Sequence, residues 1–183
     1  MGGFIATTVS EEQIRKLIKE EIDQSNFKGN FDKEKFVFVS HSFVEDDAKK
    51  SEALQKILKK YSIESYLAEL DPQYGYLLSK KIQENIQKSM AVVVILTENS
   101  ISSASVNQEI GYALGLGMTI IPLVSEKVKN KIGVLIKDVE GAIFVEGNFE
   151  EKCEEIAKFI SKQIQTLQKS PATQSFEQER GDF

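Results

Sequence analysis

The residue whose surroundings most invite chemistry is Glu109. It stands in the stretch Ser102-Ser103-Ala104-Ser105-Val106-Asn107-Gln108-Glu109-Ile110-Gly111-Tyr112-Ala113-Leu114-Gly115. Val106, Ile110, Ala113 and Leu114 recur at helical spacing, so Glu109 borders the apolar face of a helix. A helix glutamate is ordinarily just solvated. This one follows the apolar run 91–97 and precedes a second, 118–124, and ligands of open α/β sheets bind outside the carboxyl ends of such strands. That rule selects 40–47, 69–76 and 97–109. These segments supply the hydroxyls of Ser40, Ser42 and Thr97, the imidazole of His41, the carboxylates of Glu69, Asp71 and Glu109, and the rings of Phe43, Tyr74 and Tyr76. Carboxylates and hydroxyls bind sugar hydroxyls and rings stack on rings, so the set suits a sugar-containing ligand with an aromatic base. The Pro- and Gly-containing loop 71–76 has the composition of a lid. Asp46 and Asp47 read as caps of the helix that follows them.

The elements that must position these residues are legible from periodicity. Phe36 to Ser40 is a short β-type run. A helix follows over about 46–61, with Ala48, Leu54, Ile57, Leu58 and Tyr61 facing inward. Ile63 to Leu70 reads as the next strand and 77–88 as a helix. After the 91–97 strand, the Glu109 helix and the 118–124 strand come a polar stretch, 125–140, with room for a short helix, and a last strand, 141–145. A final helix carries the stripe Cys153, Ile156, Ala157, Ile160, Ile164 and Leu167. Asn148 with Glu151, and Ser105 with Gln108, read as reciprocal capping boxes. The alternation of strands and helices predicts an α/β fold with a parallel sheet covered on both faces. Ahead of it, residues 1–34 form an extension with an amphipathic helix at 10–25 (Ile14, Leu17, Ile18, Ile22), whose stripe needs either this domain or a second copy as partner. The main domain is expected over 35–170 and a disordered polar tail over 171–183.

Composition narrows the classes. A net charge of −5 argues against a general binder of nucleic acid or anionic membranes. One His and one Cys argue against a zinc site, and no metal or bound cofactor is expected. The single Cys153 lies on an apolar stripe and reads as a core residue in a reducing compartment. No segment has the length of a membrane span or the pattern of a signal peptide, so a cytoplasmic location is the expectation. No P-loop is present, Gly115-Leu116-Gly117 sits at a helix end rather than at a helix start, and there is no nucleophile elbow.

Three segments together resemble Toll/interleukin-1 receptor (TIR) domains over about residues 35–165. Phe38-Val39-Ser40-His41-Ser42 resembles the first box. Ala68-Glu69-Leu70-Asp71-Pro72-Gln73-Tyr74-Gly75 resembles the BB loop. Ser103 to Gly115 is similar to the glutamate-bearing helix of prokaryotic members. The resemblance implies a flavodoxin-like three-layer sandwich with a five-stranded parallel sheet. It implies cleavage of NAD between nicotinamide and ribose, by hydrolysis or cyclisation, in prokaryotic antiviral defence or signalling. NAD is then substrate, not cofactor. By the same resemblance Glu109 is the catalytic residue, Ser40, His41, Ser42 and Phe43 line the cleft, Glu69, Asp71 and Tyr74 shape or close it, and Ser105 is a further substrate-binding candidate. The family's sites are usually completed by self-association, to which the 10–25 helix would contribute, and an effector or sensor protein is a further partner. Many active relatives carry Trp where this chain has Ser105, and the chain has no Trp. The alternatives are a non-catalytic TIR interaction module and a nucleoside-handling transferase of similar fold.

Overall fold

A computed structural model of the chain describes residues 36–67, 78–133, 136 and 138–168. The expected 10–25 helix, the 71–76 loop and the 171–183 tail lie outside these residues. The strands are β1 (Phe36–Ser40), β2 (Glu64–Tyr66), β3 (Ala91–Leu96), β4 (Ile120–Ser125) and β5 (Ala142–Phe144). The helices are α1 (Glu45–Lys60), α2 (Leu78–Lys88), α3 (Ala104–Gly115) and α4 (Phe149–Gln168). All strand pairs are parallel, in the order β2-β1-β3-β4-β5.

The order follows from hydrophobicity. β3 is Ala-Val-Val-Val-Ile-Leu and every residue in it is buried, as a central strand between two helical layers requires. Its alternate side chains feed two cores. Val93 and Ile95, with Val37, Val39, Ile121 and Leu123, pack against Leu54, Ile57 and Leu58 of α1 and Cys153, Ile156, Ala157 and Ile160 of α4. Val92, Val94 and Leu96, with Phe38, Ile120 and Val124, pack against Ile86 of α2 and Val106, Ile110 and Ala113 of α3. The result is the expected three-layer α/β sandwich. Cys153 is wholly buried in the first core, and burial pushes its thiol up to about 12, so it is inert packing.

Several boundaries differ from the sequence reading, each for a local reason. Of the expected Ile63–Leu70 strand, the described residues are paired over Glu64–Tyr66. It is entered through a helix end in which Ser62 N–H donates to Lys59 C=O and Ile63 N–H to Leu58 C=O, with Ser62 at φ +58°. This is a Schellman ending without its usual glycine. β5 is shorter than 141–145 at both ends. At its start, a Cβ on Gly141 would lie 2.4 Å from the Pro122 carbonyl oxygen. At its end, the Val145 N–H is taken by the Asn148 side chain at 2.7 Å. Asn148 therefore points back toward β5, and the box expected with Glu151 is not made. Within 125–140 a 3-10 turn forms at Glu126–Val128.

Candidate active site

The strand order reverses between β1 and β3, and the crevice beyond their carboxyl ends is where such sheets bind ligands. β1 delivers Ser40 to that crevice, 1% exposed. From the opposite wall comes Glu109, 8% exposed, on the buried face of α3 with Val106, Ile110 and Ala113. The Ser40 hydroxyl donates to Glu109 Oε2 at 2.5 Å, across 69 residues of sequence. Burial raises the Glu109 carboxyl from its ordinary 4.5 to about 7, while the Ser40 hydrogen bond pulls it down. Both protonation states are therefore populated at neutral pH. A glutamate that only bordered an apolar face would show no such shift. Glu109 instead lies inside that face, buried together with Val106, Ile110 and Ala113.

Helix α3 begins one turn before the catalytic candidate. Its N-cap is Ser103, whose hydroxyl accepts from the Val106 N–H. The expected Ser105–Gln108 box is thus not the helix start. Ser105 lies within the first turn, half-buried, with its hydroxyl 2.9 Å from that of Ser103. Its side chain serves the cap rather than the carboxylate four residues on.

The β1–α1 loop forms the near rim. His41 is buried, and its Nδ1–H donates to the Ser42 carbonyl at 2.8 Å. Its ring meets Phe43 edge-on, with centroids 6.5 Å apart, and Phe43 is 57% exposed. Ser42 is buried and donates to Asp47 Oδ2. Glu69, Asp71 and Tyr74 lie outside the described residues. Ser40, His41, Ser42 and Phe43 lie at the strand end that Glu109 reaches.

Asp47 is the residue the sequence reading misplaced. It does not cap α1: the N-cap position is Val44, with no side-chain cap. Asp47 is instead buried and accepts the hydroxyls of Ser42 and, at 2.7 Å, Thr97 at the end of β3. A signal for this was present. Asp47, Ser51, Leu54 and Leu58 fall at helical spacing on one buried face, so an acid stood on the inward stripe.

A second concavity, of about 720 Å³, lies between α4, the start of β4 and the start of β5, lined among others by Met118, Ile120, Gly141 and Phe159. It opens at the amino ends of the strands, away from Glu109. Among the described residues no group of three or more His, Cys, Asp or Glu could hold a metal, and no helix is long and apolar enough to cross a membrane.

A parallel sheet in the order 2-1-3-4-5 between two helical layers, with a buried carboxylate at its switch point, defines the class as flavodoxin-like α/β. More narrowly, the chain belongs to the TIR-domain family, whose model matches residues 37–157. Its fold is similar to the TIR domain of the Toll-related receptor TRR-2 from Hydra magnipapillata, with a TM-score of 0.57 and 14% identity, covering 68% of this chain and 96% of that one. A similarity at TM-score 0.47 and 17% identity is found to the TIR domains of the activated Roq1 resistosome, which directly recognises the pathogen effector XopQ. It covers 74% of this chain and 98% of that one. No curated protein matches the chain by sequence.

Proposed function

We propose that this TIR domain is an NAD glycohydrolase of the prokaryotic type, with Glu109 as its catalytic carboxylate. The observation that carries the reading is the buried Glu109 held by Ser40 at the β1/β3 switch point. Breaking the nicotinamide–ribose bond develops positive charge on the ribose ring. An ionised Glu109 accepting hydrogen bonds from ribose hydroxyls holds the sugar and stabilises that charge. Burial strengthens the effect, because no water screens it. Ser40 fixes the orientation of the carboxylate through Oε2. Nicotinamide leaves as a neutral molecule, so no strong acid is needed. Water then adds to the ribose carbon and loses a proton, giving ADP-ribose; attack by a nitrogen of the adenine would give a cyclic isomer instead. Phe43, exposed at the rim, offers a face for one of the two bases. The setting we propose is defence or signalling in the cytoplasm, with self-association completing the site and an effector or sensor as partner.

The second reading, a non-catalytic interaction module, is favoured by one observation. The Ser105 hydroxyl is spent on the cap of α3, where many active relatives have a bulky Trp. The deciding experiment is NAD turnover with product identification for the wild type and Glu109→Ala, at high protein concentration. Nicotinamide release that disappears in the variant supports the enzyme. A folded wild type that releases none under any assembly condition transfers the case to the interaction module.

A further inference from the structure

We infer that Asp47 is a positioning residue for Glu109, acting as a brace that ties the end of β1 to the end of β3. The observations are these. Asp47 is 1% exposed and projects from the first turn of α1, yet it does not cap that helix. Its Oδ2 accepts from Ser42, two residues past the Ser40 that holds Glu109. The same oxygen accepts from Thr97 at 2.7 Å. Thr97 Oγ1 in turn accepts the N–H groups of Asn99 and Ser100, both at 3.2 Å, and the Thr97 N–H donates to Ser100 Oγ at 2.6 Å. That turn leads through Ser100–Ser102 into the Ser103 cap and α3. One carboxylate thus fastens both backbone segments that carry the Ser40–Glu109 pair.

A group kept only for stability would not need this arrangement. Among the described residues Asp47 Oδ1 is buried with no hydrogen-bond partner, a cost that a purely structural residue would be free to shed. What the carboxylate does supply is one oxygen that two hydroxyls from different strand ends can share. The brace matters because Ser40 and Glu109 are tightly juxtaposed, and a small displacement of either loop breaks their contact and admits water.

The brace rests on the proposed NAD-cleaving reading only for its activity readout, so two measurements are made together. The first is the titration of the Glu109 carboxyl, followed by carbon NMR in wild type, Asp47→Asn and Asp47→Ala. The asparagine variant removes the charge but keeps an oxygen acceptor for both hydroxyls; the alanine variant removes both. In Asp47→Ala water reaches Glu109 and its midpoint falls by about one unit or more toward the ordinary carboxylate range, while Asp47→Asn stays close to wild type. A midpoint unmoved in folded Asp47→Ala overturns the inference. So does an equal fall in both variants, which would make the effect one of charge and not of position. If Asp47→Ala does not fold, Thr97→Val against Thr97→Ser makes the same comparison, and a valine variant with an unmoved midpoint is equally fatal. The second measurement is NAD turnover. Asp47→Ala is expected to lose about 10- to 100-fold in kcat with little change in KM, and Asp47→Asn to recover most of it. A wild type that cleaves no NAD defeats the functional reading, and the titration still decides the brace.

Discussion

Glu109 should make this domain less stable as the pH rises, and Glu109→Gln should remove that dependence. Below pH 4.5 the carboxyl is protonated in both the folded and the unfolded chain. Between 4.5 and about 7 the unfolded chain ionises while the folded carboxyl keeps its proton. The folded state then binds more protons, so stability falls as pH climbs through this window and the loss is complete above about 7. At about 1.36 kcal/mol for each pH unit, the interval amounts to about 3 kcal/mol. The group is nearly buried, so solvent screening takes little from that figure. The glutamine side chain keeps an oxygen for the Ser40 hydroxyl and never ionises. The stability of the variant relative to wild type should therefore grow by about 3 kcal/mol between pH 4.5 and pH 8. In a domain of this size that is a gap in Tm of about 6 to 12 °C at pH 8. Urea and thermal unfolding of both proteins at matched pH measure it, and titrations common to the two chains cancel. Curves that run parallel across the window would refute the claim that burial dominates the Glu109 environment. A gain in stability obtained by disabling the site is also the trade expected of a functional residue.

Three further outcomes follow from single contacts. Ser40→Ala removes the hydroxyl that pulls the Glu109 carboxyl down, so its midpoint should rise above about 7 in an NMR titration; a fall would mean that Ser40 excludes water more than it donates. Gly141→Ala places a Cβ 2.4 Å from the Pro122 carbonyl oxygen and 2.9 Å from the Pro122 Cβ, neither of which can swing aside, and should cost about 2 kcal/mol in urea unfolding. Ser62→Gly relieves a left-handed φ of +58° at the end of α1 and should add about 0.5–1 kcal/mol by the same assay, the gain being reduced by the freer unfolded chain.

What could be read in the sequence was set by periodicity. The runs at 91–97 and 118–124 are so uniformly apolar that only burial on both faces accommodates them, and they became β3 and β4 at the centre of the sheet. The Glu109 helix followed from its own periodicity, and its place near the end of β1 from the strand-end rule together with the resemblance to TIR domains. What escaped was decided by which partner each polar side chain took, near in sequence for two of them and far away for the third. Ser103 and Ser105 are equally good caps locally, and the choice of Ser103 depends on the 3-10 turn that precedes it. The end of β5 depends on an asparagine that turns back to take a strand N–H instead of capping the next helix. Asp47 resembles any acid in the first turn of a helix until Thr97, 50 residues on, is brought against it.

Asp47 and Glu109, the two buried carboxylates among the described residues of the crevice, divide its work by reach and by partners. Aspartate is one methylene shorter, and among the described residues Asp47 on α1 meets the hydroxyls just ahead of its own helix start and at the adjacent β3 end. Two donors converge on a single oxygen, so this carboxylate is committed to the scaffold. Glu109 extends from α3 to the end of β1, with one hydroxyl on Oε2 and burial opposing its charge. An ionised group held by few donors gains most when a ligand brings more hydroxyls or a developing positive charge. On the proposed reading, a sugar entering the crevice supplies both. The same physics that makes Glu109 costly in the empty domain thus makes it effective in the occupied one, and the rigidity this requires is what the Asp47 brace provides.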